Sequence, residues 1–582
     1  MSPLLFNIAL EGLLRHLASC NYGYRLRGLS IINHLAYADD VCVIAGSKQQ
    51  GQALLDRCVE FTMWAGLTFN PQKCGSLCAV NNVSPMYIDP NPLHPGPDNI
   101  PALSWHQRYK YLGCPIGAGS SLDLSAIGGP LLRDCEAIMM SQLAEWQKID
   151  AFRRFPFPRL SYAFKVFFPG SSWCRKLDTS MRKWIKKGVS LPARACSSFI
   201  YTPQALGGLG IPRCEDEMHI ARAAQAFNFL ADTRDPIPSG LLLSNNSKAY
   251  PNSPYVSHLQ GGPGCLPQHT CSIPGRSQGR RKESLEFNSA SIVSNGSEIS
   301  WHKRDRINQS LGRHLTELLQ APDQGRASFS TCLAAASNYF TYSGAYLTFA
   351  QYRFALRAHL SLLPTRTVQA RSGKVLPDTR CRHCHQVPET LSHITNHCLH
   401  NMGLIRERHN AVLERLIRAI PSSMGDKFKE QPLPNTTGAN HPDLTVVAPD
   451  GRSALLVDEC IPFEGSPEAL QEAAQEKLRK YEPLRQSLLG RFERVEVLPF
   501  IVGSLGSWFP PNDEVLHSLH IGRKYAVLMR RLCVASAISG SQTIWYRSTC
   551  SHPGTNIPSH LPLPDVPPPS PNLSHSQLLR LN

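Results

Sequence analysis

The sequence contains no run of about 18 or more apolar residues, so none of its segments is predicted to span a bilayer. Its opening segment, Met1–Leu10, lacks the basic leading stretch of a secretory signal peptide. No regular internal repeat is present either. These absences predict a protein that is not secreted, with cysteine thiols that are free or bound to metal.

Acidic residues are outnumbered by basic ones. The 582 residues include 60 Lys or Arg and 44 Asp or Glu, which gives a formal net charge of +16. That excess suits a polyanionic partner, although net charge alone says nothing about the fold. The length predicts several domains, and a chain this long is not a small disulfide scaffold in spite of its 19 cysteines.

Two adjacent carboxylates lie between two short apolar runs in the segment Leu35–Ile44. Apolar runs of strand length around an acidic turn predict a β-hairpin with Asp39 and Asp40 at its tip. Adjacent like charges repel, so such a pair is tolerated only in water or on cations. Two divalent cations held by carboxylates are what nucleotidyl transfer requires. A solvated turn that carries two aspartates is the alternative.

Three further segments accompany this hairpin in a fixed order. Met1–Leu10 lies upstream, and Gly66–Lys73 and Tyr109–Cys114 lie downstream. Together the four segments resemble the site-specific non-LTR retrotransposon polyproteins, the type-1 retrotransposable element reverse transcriptases that carry a restriction-like endonuclease. The resemblance extends to about Trp545, with one low-complexity interruption.

The resemblance implies roles for individual residues near the hairpin. Tyr37, Asp39 and Asp40 would form the polymerase hairpin, with Mg²⁺ on the two aspartates. Lys73 would approach the incoming triphosphate, and Tyr109–Cys114 would contact the primer strand.

A further metal-binding aspartate is implied upstream of Met1–Leu10, and the chain as given has none there. We therefore expect an N-terminally truncated polyprotein that begins at an internal methionine. Metal binding at Asp39 and Asp40 should then be weak, and the polymerase should be inactive. An incomplete palm sheet also exposes an edge, which favours self-association.

Aromatic and basic residues are mixed through residues 121–232, which are predicted to form a helical thumb. Basic side chains can neutralise phosphates while aromatic rings stack on bases. The candidate nucleic-acid contacts are Arg182, Lys183, Lys186 and Lys187. An amphipathic helix with its aromatics inward and its lysines in water is the alternative.

A cysteine–histidine group is the most specific metal signal in the sequence. Cys381 and Cys384 form one pair, and His393 and Cys398 form the second. Three thiolates and one imidazole satisfy tetrahedral zinc with no position left for water, which predicts a structural Zn²⁺ site. Other histidines of the same stretch could substitute in a looser site, and a His-rich loop with free thiols is the alternative. These histidines are His383, His385, His397 and His400.

A second acidic group lies in the C-terminal part of the chain. The dipeptide Asp450–Gly451 is a strong signal for the tip of a hairpin turn. Counting back from a two-residue loop places Asp443 opposite Asp458, and directly opposed residues have Cβ atoms about 5 Å apart. Two carboxylates at that spacing can share a divalent metal, Mg²⁺ or Mn²⁺.

The helix predicted after this hairpin begins at Ser466 and Pro467, with the proline in its first position. Its apolar spacing puts Lys477 on the inward face with Lys480 nearby. A buried lysine needs opposite charge, which the two opposed aspartates would supply. These are the parts of a restriction-like nuclease, in which acids hold the metal and a lysine orients or deprotonates water and stabilises the phosphorane. A structural hairpin on an amphipathic helix, with the lysine reaching solvent, is the alternative.

The predicted fold class is a multidomain α+β chain with a partial reverse-transcriptase palm, a helical thumb, a zinc knuckle and a restriction-like α/β endonuclease domain. Stretches rich in Ser, Gly and Pro cannot bury a core and are predicted to be disordered. The predicted boundaries are 1–120 for the palm, 121–232 for the thumb, 233–300 for a disordered insert, 301–375 for a helical linker, 376–412 for the zinc knuckle, 430–548 for the endonuclease and 549–582 for a disordered tail.

The predicted function is target-primed reverse transcription, in which a DNA nick supplies the 3′ hydroxyl that primes copying of RNA. The predicted partners are target DNA, template RNA and dNTPs, with no membrane. The expected location is nuclear, or otherwise cytoplasmic. A catalytically dead nucleic-acid-binding remnant is the alternative, and misplaced acids in both sites would indicate it.

Overall fold

The structure is a computed structural model. It describes residues 2–25, 31–67, 70–80, 87–96, 98–118, 124–167, 169–231, 284–287, 290–293, 311–433 and 441–550. The predicted disordered insert therefore lies outside the described residues, apart from two short paired strands. The predicted disordered tail also lies outside them, apart from its first two residues, which are helical.

The chain forms two compact units. The first consists of Met1–Pro130, Arg159–Cys174 and Glu215–Arg306, and the second of Leu131–Pro158, Arg175–Cys214 and Ile307–Asn582. The segment predicted as a thumb contributes to both units, whereas the predicted knuckle and endonuclease lie in the second.

The described helices vary from single turns to long rods, and no described helix is both long and apolar enough to cross a membrane. In the first part of the chain the α-helices are Ser2–Ala18, Lys48–Trp64, Ser125–Met140, Glu145–Arg154, Arg159–Val166, Ser171–Gly188, Ser198–Tyr201 and Cys214–Ala231. Residues 311–319 are also helical. They are followed by Arg326–Thr331, Phe340–Ser343, Phe349–His359, Arg366–Arg371, Met402–Ala419, Ala469–Leu488, Asn512–Ser518 and Arg523–Cys550.

The strands of the first unit pair two by two. Each described pair is antiparallel and forms its own two-stranded sheet, so the described strands do not join into one continuous palm sheet. The pairs are β1 (Tyr24–Arg25) with β2 (Ile31–Ile32), β3 (His34–Tyr37) with β4 (Asp40–Val43), β5 (Ala79–Val80) with β6 (Tyr87–Ile88), β7 (Tyr109–Tyr111) with β8 (Cys114–Ile116), and β9 (Ser284–Phe287) with β10 (Ala290–Val293).

A small apolar core supports the β3–β4 hairpin, which carries Asp39 and Asp40. Leu13 and Leu17 of the first helix pack on Leu54 and Cys58 of the second, and Val43 at the end of β4 packs against them. The second helix begins at the Ser47 N-cap, whose side chain accepts a hydrogen bond from the Gln50 N–H. Such a cap satisfies a backbone donor that the helix itself leaves free.

A four-stranded sheet organises the C-terminal part of the second unit. Its order is β11 (Asp426–Lys429), β12 (Leu444–Val447), β13 (Ser453–Cys460) and β14 (Arg494–Ile501). The first three strands are antiparallel neighbours, whereas β13 and β14 are parallel. A parallel pair needs a crossover connection, and the helix Ala469–Leu488 supplies it.

One face of this sheet packs on the crossover helix, called the lysine helix below. Ala454 and Leu456 of β13 share a buried core with Leu488. The lysine helix begins at Ala469 and not at Ser466 and Pro467, which lie in the preceding bend and turn, so the predicted N-terminus was wrong. No side chain caps the N-terminus of the lysine helix. Leu470, its second residue, is buried against Ile501 and Phe509.

The histidine helix, Met402–Ala419, contacts β13 as well. It packs along the C-terminal helix, Arg523–Cys550, and two buried or half-buried arginines connect the pair. Arg408 donates a hydrogen bond to Ser541 Oγ at 2.7 Å, and Arg415 donates one to Ser536 Oγ at 2.7 Å.

Candidate functional site

The hairpin β12–β13 has the predicted register. Leu444 opposes Val457 and Val447 opposes Ala454, so the same pairing continued by one residue sets Asp443 against Asp458. The Asp443 backbone N–H donates to Asp458 Oδ1 at 3.3 Å. The count from the two-residue Asp450–Gly451 turn is therefore confirmed, because turn length and register are linked in hairpins.

Asp458 is almost completely buried, with 2% of its side chain exposed, and it has two side-chain neighbours on the lysine helix. Lys477 Nζ forms an ion pair with Asp458 Oδ2 at 2.6 Å. The Tyr481 hydroxyl donates to Asp458 Oδ1 at 2.6 Å. Burial, together with Asp458, raises the pKa of Tyr481, which keeps the phenol protonated as a donor.

The two lysines differ in their access to this carboxylate. The inward placement of Lys477 is confirmed, and its contact with Asp458 outweighs burial to raise the lysine pKa. Lys480 is exposed, and its ammonium donates to the Tyr481 hydroxyl at 2.7 Å and lies 4.6 Å from the tyrosine ring centroid. Lys480 therefore reaches Asp458 only through Tyr481.

The opposite face of the sheet adds two groups that the sequence analysis did not assign. Side chains alternate along a strand, so Glu459 points away from the lysine helix when Asp458 points towards it. His409 Nε2 lies 3.1 Å from Glu459 Oε2 and 3.2 Å from Asp443 Oδ2. The Glu459 backbone N–H donates to Asp443 Oδ2 at 2.7 Å.

Charges in this group shift one another's pKa. Burial alone would lower the pKa of His409, but the hydrogen bond to Asp443 and the charges of Asp443 and Glu459 raise it to about 9. Burial would raise the pKa of Asp443, and His409 outweighs it, so that this pKa is lowered. Complete burial raises the pKa of Glu459, opposed in part by His409.

The carboxylates fit a divalent cation. Asp458 Oδ2 and Glu459 Oε2 are buried and each has one nitrogen partner, Lys477 and His409 respectively, whereas Glu459 Oε1 is buried without a hydrogen bond. Mg²⁺ is usually bound by one or two carboxylates, with waters and substrate phosphates completing its octahedron. Asp443 and Asp458 supply two such carboxylates, although within the described ranges these acids do not form a compact group of three ligand atoms.

The predicted zinc ligands come together. Ligand atoms of Cys381, Cys384, His393 and Cys398 all lie within 4.8 Å of one another. The Cys381 and Cys398 sulfurs are 3.9 Å apart, and Cys384 Sγ is 3.3 Å from His393 Nε2. Tetrahedral zinc with bonds of about 2.0–2.3 Å needs ligand atoms about 3.3–3.8 Å apart, so the spacing suits zinc.

Other residues of this stretch support the loop and do not join the cluster. His383 stacks on His400 with ring centroids 4.3 Å apart, and its Nε2 lies 3.0 Å from the Ser548 carbonyl oxygen. Arg382 pairs with Glu389 at 2.7 Å and donates to the Thr549 carbonyl oxygen. Asn396 Nδ2 donates to the Ile461 carbonyl oxygen at 2.7 Å, which connects the cluster to the end of β13.

The first acidic pair lies at the tip of a hairpin, as predicted. Tyr37 of β3 opposes Asp40 of β4, and Ala38 and Asp39 form the two-residue turn, with Ala38 at φ 51°. Tyr37, Asp39 and Asp40 are all exposed. No third carboxylate, histidine or cysteine of the described residues joins the two aspartates in a compact group.

The other residues implied for the polymerase lie near one another in the first unit. The Tyr109 hydroxyl donates to the Lys73 carbonyl oxygen at 2.6 Å. Strands β7 and β8 turn at Leu112 and Gly113, both at positive φ, which matches a tight hairpin turn. Asp40 contributes to the raised pKa of Tyr111, after burial and Cys42, which locates β7 near the acidic tip.

The four cations of the basic helix, Ser171–Gly188, are not equivalent. Lys186 Nζ donates to the carbonyl oxygens of Ala193 and Ala195 at 2.8 and 2.6 Å, so it holds the following loop. Lys183 and Lys187 are exposed and lie 5.9 and 5.3 Å from the Trp184 ring centroid. Arg182 is half-buried and donates to Thr179 Oγ1 at 2.9 Å.

Comparisons with known proteins find relatives among reverse transcriptases and retrotransposable elements. Residues 1–116 match the family described as reverse transcriptase (RNA-dependent DNA polymerase). The chain is 25% identical over 549 residues to the Pol polyprotein of the type-2 retrotransposable element R2DM of Drosophila melanogaster, covering 90% of the chain and 46% of that protein. It is 23% identical over 512 residues to the Pol polyprotein of the type-1 retrotransposable element R2 of Popillia japonica, covering 86% of the chain and 95% of that sequence.

A third relative is shorter in its match. The Pol polyprotein of the type-1 retrotransposable element R2 of Nasonia vitripennis is 29% identical over 222 residues, which cover 38% of the chain and 21% of that protein. The chain therefore spans less than half the length of the Drosophila and Nasonia relatives.

Proposed function

From its homology to the Pol polyproteins of R2 retrotransposable elements, we propose that the chain acts in target-primed reverse transcription. In this proposal the predicted endonuclease region, residues 430–548, nicks one strand of target DNA. The freed 3′ hydroxyl then primes RNA-directed DNA synthesis on a template RNA, with dNTPs as substrates. Because the target DNA would be chromosomal, the protein would act in the nucleus.

The observation that carries the nuclease part is the arrangement of Asp443, Asp458 and Lys477. Asp443 immediately precedes β12, Asp458 lies on the adjacent strand β13, and the lysine meets Asp458 from the crossover helix at 2.6 Å. A buried carboxylate costs stability unless a positive charge compensates it, and the Lys477 ammonium supplies that charge to Asp458.

In the proposed reaction the chain's own groups hold the metal and surround the phosphate. Asp443 and Asp458 would hold Mg²⁺ or Mn²⁺, which when bound would polarise the phosphate and activate water. Lys477 lies beside Asp458, where its ammonium can orient the attacking water and stabilise negative charge on the phosphorane. Tyr481 fixes Asp458 through its hydroxyl.

The zinc cluster has a structural role in this proposal. Its three thiolates and one imidazole leave no open coordination position for water or substrate. Zn²⁺ bound there would fix the loop that precedes the histidine helix.

The polymerase part depends on the exposed pair Asp39 and Asp40. Among the described residues no third ligand joins this pair, so we expect it to hold catalytic metals weakly and predict that this chain does not extend a primer. Template-primed dNTP incorporation with Mg²⁺ measures it. Primer extension that disappears in Asp39→Ala would contradict the prediction, because it would require a ligand outside the described residues.

Metal-dependent nicking of plasmid DNA by the full chain tests the nuclease part. We expect weak nicking with little sequence preference in Mg²⁺ or Mn²⁺. Asp443→Ala should abolish it and leave DNA affinity nearly unchanged, because basic side chains elsewhere supply the affinity. A chain that binds DNA and never nicks it with either metal would favour the catalytically dead nucleic-acid-binding remnant.

A further inference from the structure

We propose that His409 is a positioning residue of the nuclease centre, which holds Asp443 in its metal-binding orientation from the opposite face of the sheet. This inference rests on the proposed nuclease function. It assigns a role to a side chain on the histidine helix, 34 residues before Asp443 in the sequence.

The contacts of Asp443 carry the argument. One of its oxygens, Oδ2, accepts the Glu459 backbone N–H at 2.7 Å and lies 3.2 Å from His409 Nε2. Both partners contact the same oxygen. Rotation of the carboxylate is restricted in this way, which leaves Oδ1 as the oxygen to meet a cation between Asp443 and Asp458.

The burial of Glu459 gives a second reason. Both of its carboxylate oxygens are buried and accept no hydrogen bond, and its side chain is 0% exposed. His409 Nε2, 3.1 Å from Oε2, is the nearest described cationic nitrogen. The imidazole therefore contacts two carboxyl groups at once, and the buried Glu459 fixes it beside Asp443.

A side chain that orients a metal ligand without touching the metal has a recognisable effect. Loss of such a partner typically weakens metal affinity or activity about 10–100-fold. Because the ligand itself remains, saturating metal should restore much of the rate. Removal of a group that acts on water or phosphate should instead lower the rate at every metal concentration.

The test measures Mn²⁺ binding and Mn²⁺-dependent nicking by the zinc-loaded full chain. Asp39→Asn and Asp40→Asn are introduced throughout, so that the exposed hairpin cannot contribute bound Mn²⁺. Free Mn²⁺ is followed by electron paramagnetic resonance, and nicking is titrated from low to saturating Mn²⁺. Zinc content and the thermal unfolding midpoint show whether each variant is folded.

His409→Ala should raise the Mn²⁺ dissociation constant and the half-saturating Mn²⁺ concentration for nicking at least about tenfold. The nicking rate of the His409→Ala chain at saturating Mn²⁺ should approach that of the parent chain. Arg406→Ala is the matched control, since Arg406 is an exposed cation on the same helix, and it should change neither value. Should His409→Ala not fold, His409→Gln keeps a hydrogen-bond donor and should show a smaller shift in the same direction.

The outcomes separate the two proposals. If the parent chain binds Mn²⁺ and nicks DNA while the His409 variants titrate like Arg406→Ala, the role of His409 is overturned and the nuclease stands. A His409→Ala chain with normal Mn²⁺ affinity and a reduced rate at saturation would also overturn the positioning role. If the parent chain neither binds Mn²⁺ nor nicks DNA, the proposed nuclease and the inference that rests on it both fail.

Discussion

At the scale of single residues, the distance along the chain decides what the sequence reveals. Asp443 and Asp458 belong to one hairpin, so the turn at Asp450 and Gly451 was enough to predict that they face each other. Lys477 followed from the helical spacing of the next element. The role of His409 could not be found in this way, because helix packing brings it to Asp443 from 34 residues away.

The two lysines of the lysine helix provide a prediction at this scale. Lys477→Ala should slow nicking about 100-fold or more, because charge stabilisation by a positioned side chain supplies at least that factor. Lys480→Ala should cost a few-fold at most, since its ammonium meets Asp458 only through Tyr481. Single-turnover nicking rates of the full chain measure both.

The comparison has an internal control for folding. Lys477→Ala leaves Asp458 buried without its ion-pair partner, which lowers stability. DNA affinity and the thermal unfolding midpoint are therefore measured for both variants. A larger loss of rate in Lys480→Ala than in Lys477→Ala, with both chains folded, would contradict the assignment of Lys477.

At the scale of elements, hairpins were predicted better than helix ends. Both acidic hairpins have short loops whose geometry fixes the register. The Asp450–Gly451 turn was placed to the residue, whereas the first turn is Ala38–Asp39, one residue before the predicted Asp39–Asp40 tip. The lysine helix begins later than its Ser466–Pro467 signal, because packing of Leu470 and not a cap sets its start.

The basic helix shows the same limit. Composition cannot distinguish a lysine that faces solvent from one whose ammonium binds backbone carbonyl groups, as Lys186 does. Replacing Lys183 and Lys187 together with Ala should reduce the slope of log affinity against log salt for single-stranded RNA by about 1.4, since each phosphate contact contributes about 0.7. Lys186→Ala should lower the unfolding midpoint and leave that slope unchanged.

Filter binding at several salt concentrations measures these slopes. The Lys186→Ala chain is the matched control, because it removes one lysine from the same helix. An unchanged slope in the double variant would show that Lys183 and Lys187 do not contact phosphates.

The zinc cluster gives a further prediction for an element. The full chain should contain about one zinc, and His393→Ala or Cys398→Ser should remove it, because each substitution deletes one of four ligands. Zinc loss should also reduce nicking, since Asn396 connects the cluster to the end of β13 and the chain continues from Cys398 into the histidine helix.

Elemental analysis with a thermal melt measures this prediction. Cys332→Ser is the control, because Cys332 is a half-buried cysteine of the same unit outside the cluster. Retention of one zinc by both His393→Ala and Cys398→Ser would show that other residues are the ligands.

At the scale of the whole molecule, the sequence predicted the kinds of element better than their grouping. The predicted knuckle and endonuclease fall within one compact unit, but the predicted thumb contributes to both. Contacts between distant segments determine such grouping, and composition along the chain does not contain them. The described strands of the predicted palm form separate pairs, so a continuous palm sheet is not established within the described residues.

The central claim is that Asp443 and Asp458 hold the metal of a DNA-nicking centre. The most direct measurement is Mn²⁺-dependent relaxation of supercoiled plasmid. It compares the parent chain with the full-length Asp458→Asn and Asp450→Asn variants. Asp450 is the matched control, an exposed aspartate at the tip of the same hairpin. We predict that Asp450→Asn nicks like the parent chain and that Asp458→Asn binds DNA without nicking it. Equal nicking by the Asp458→Asn and Asp450→Asn chains would contradict the account.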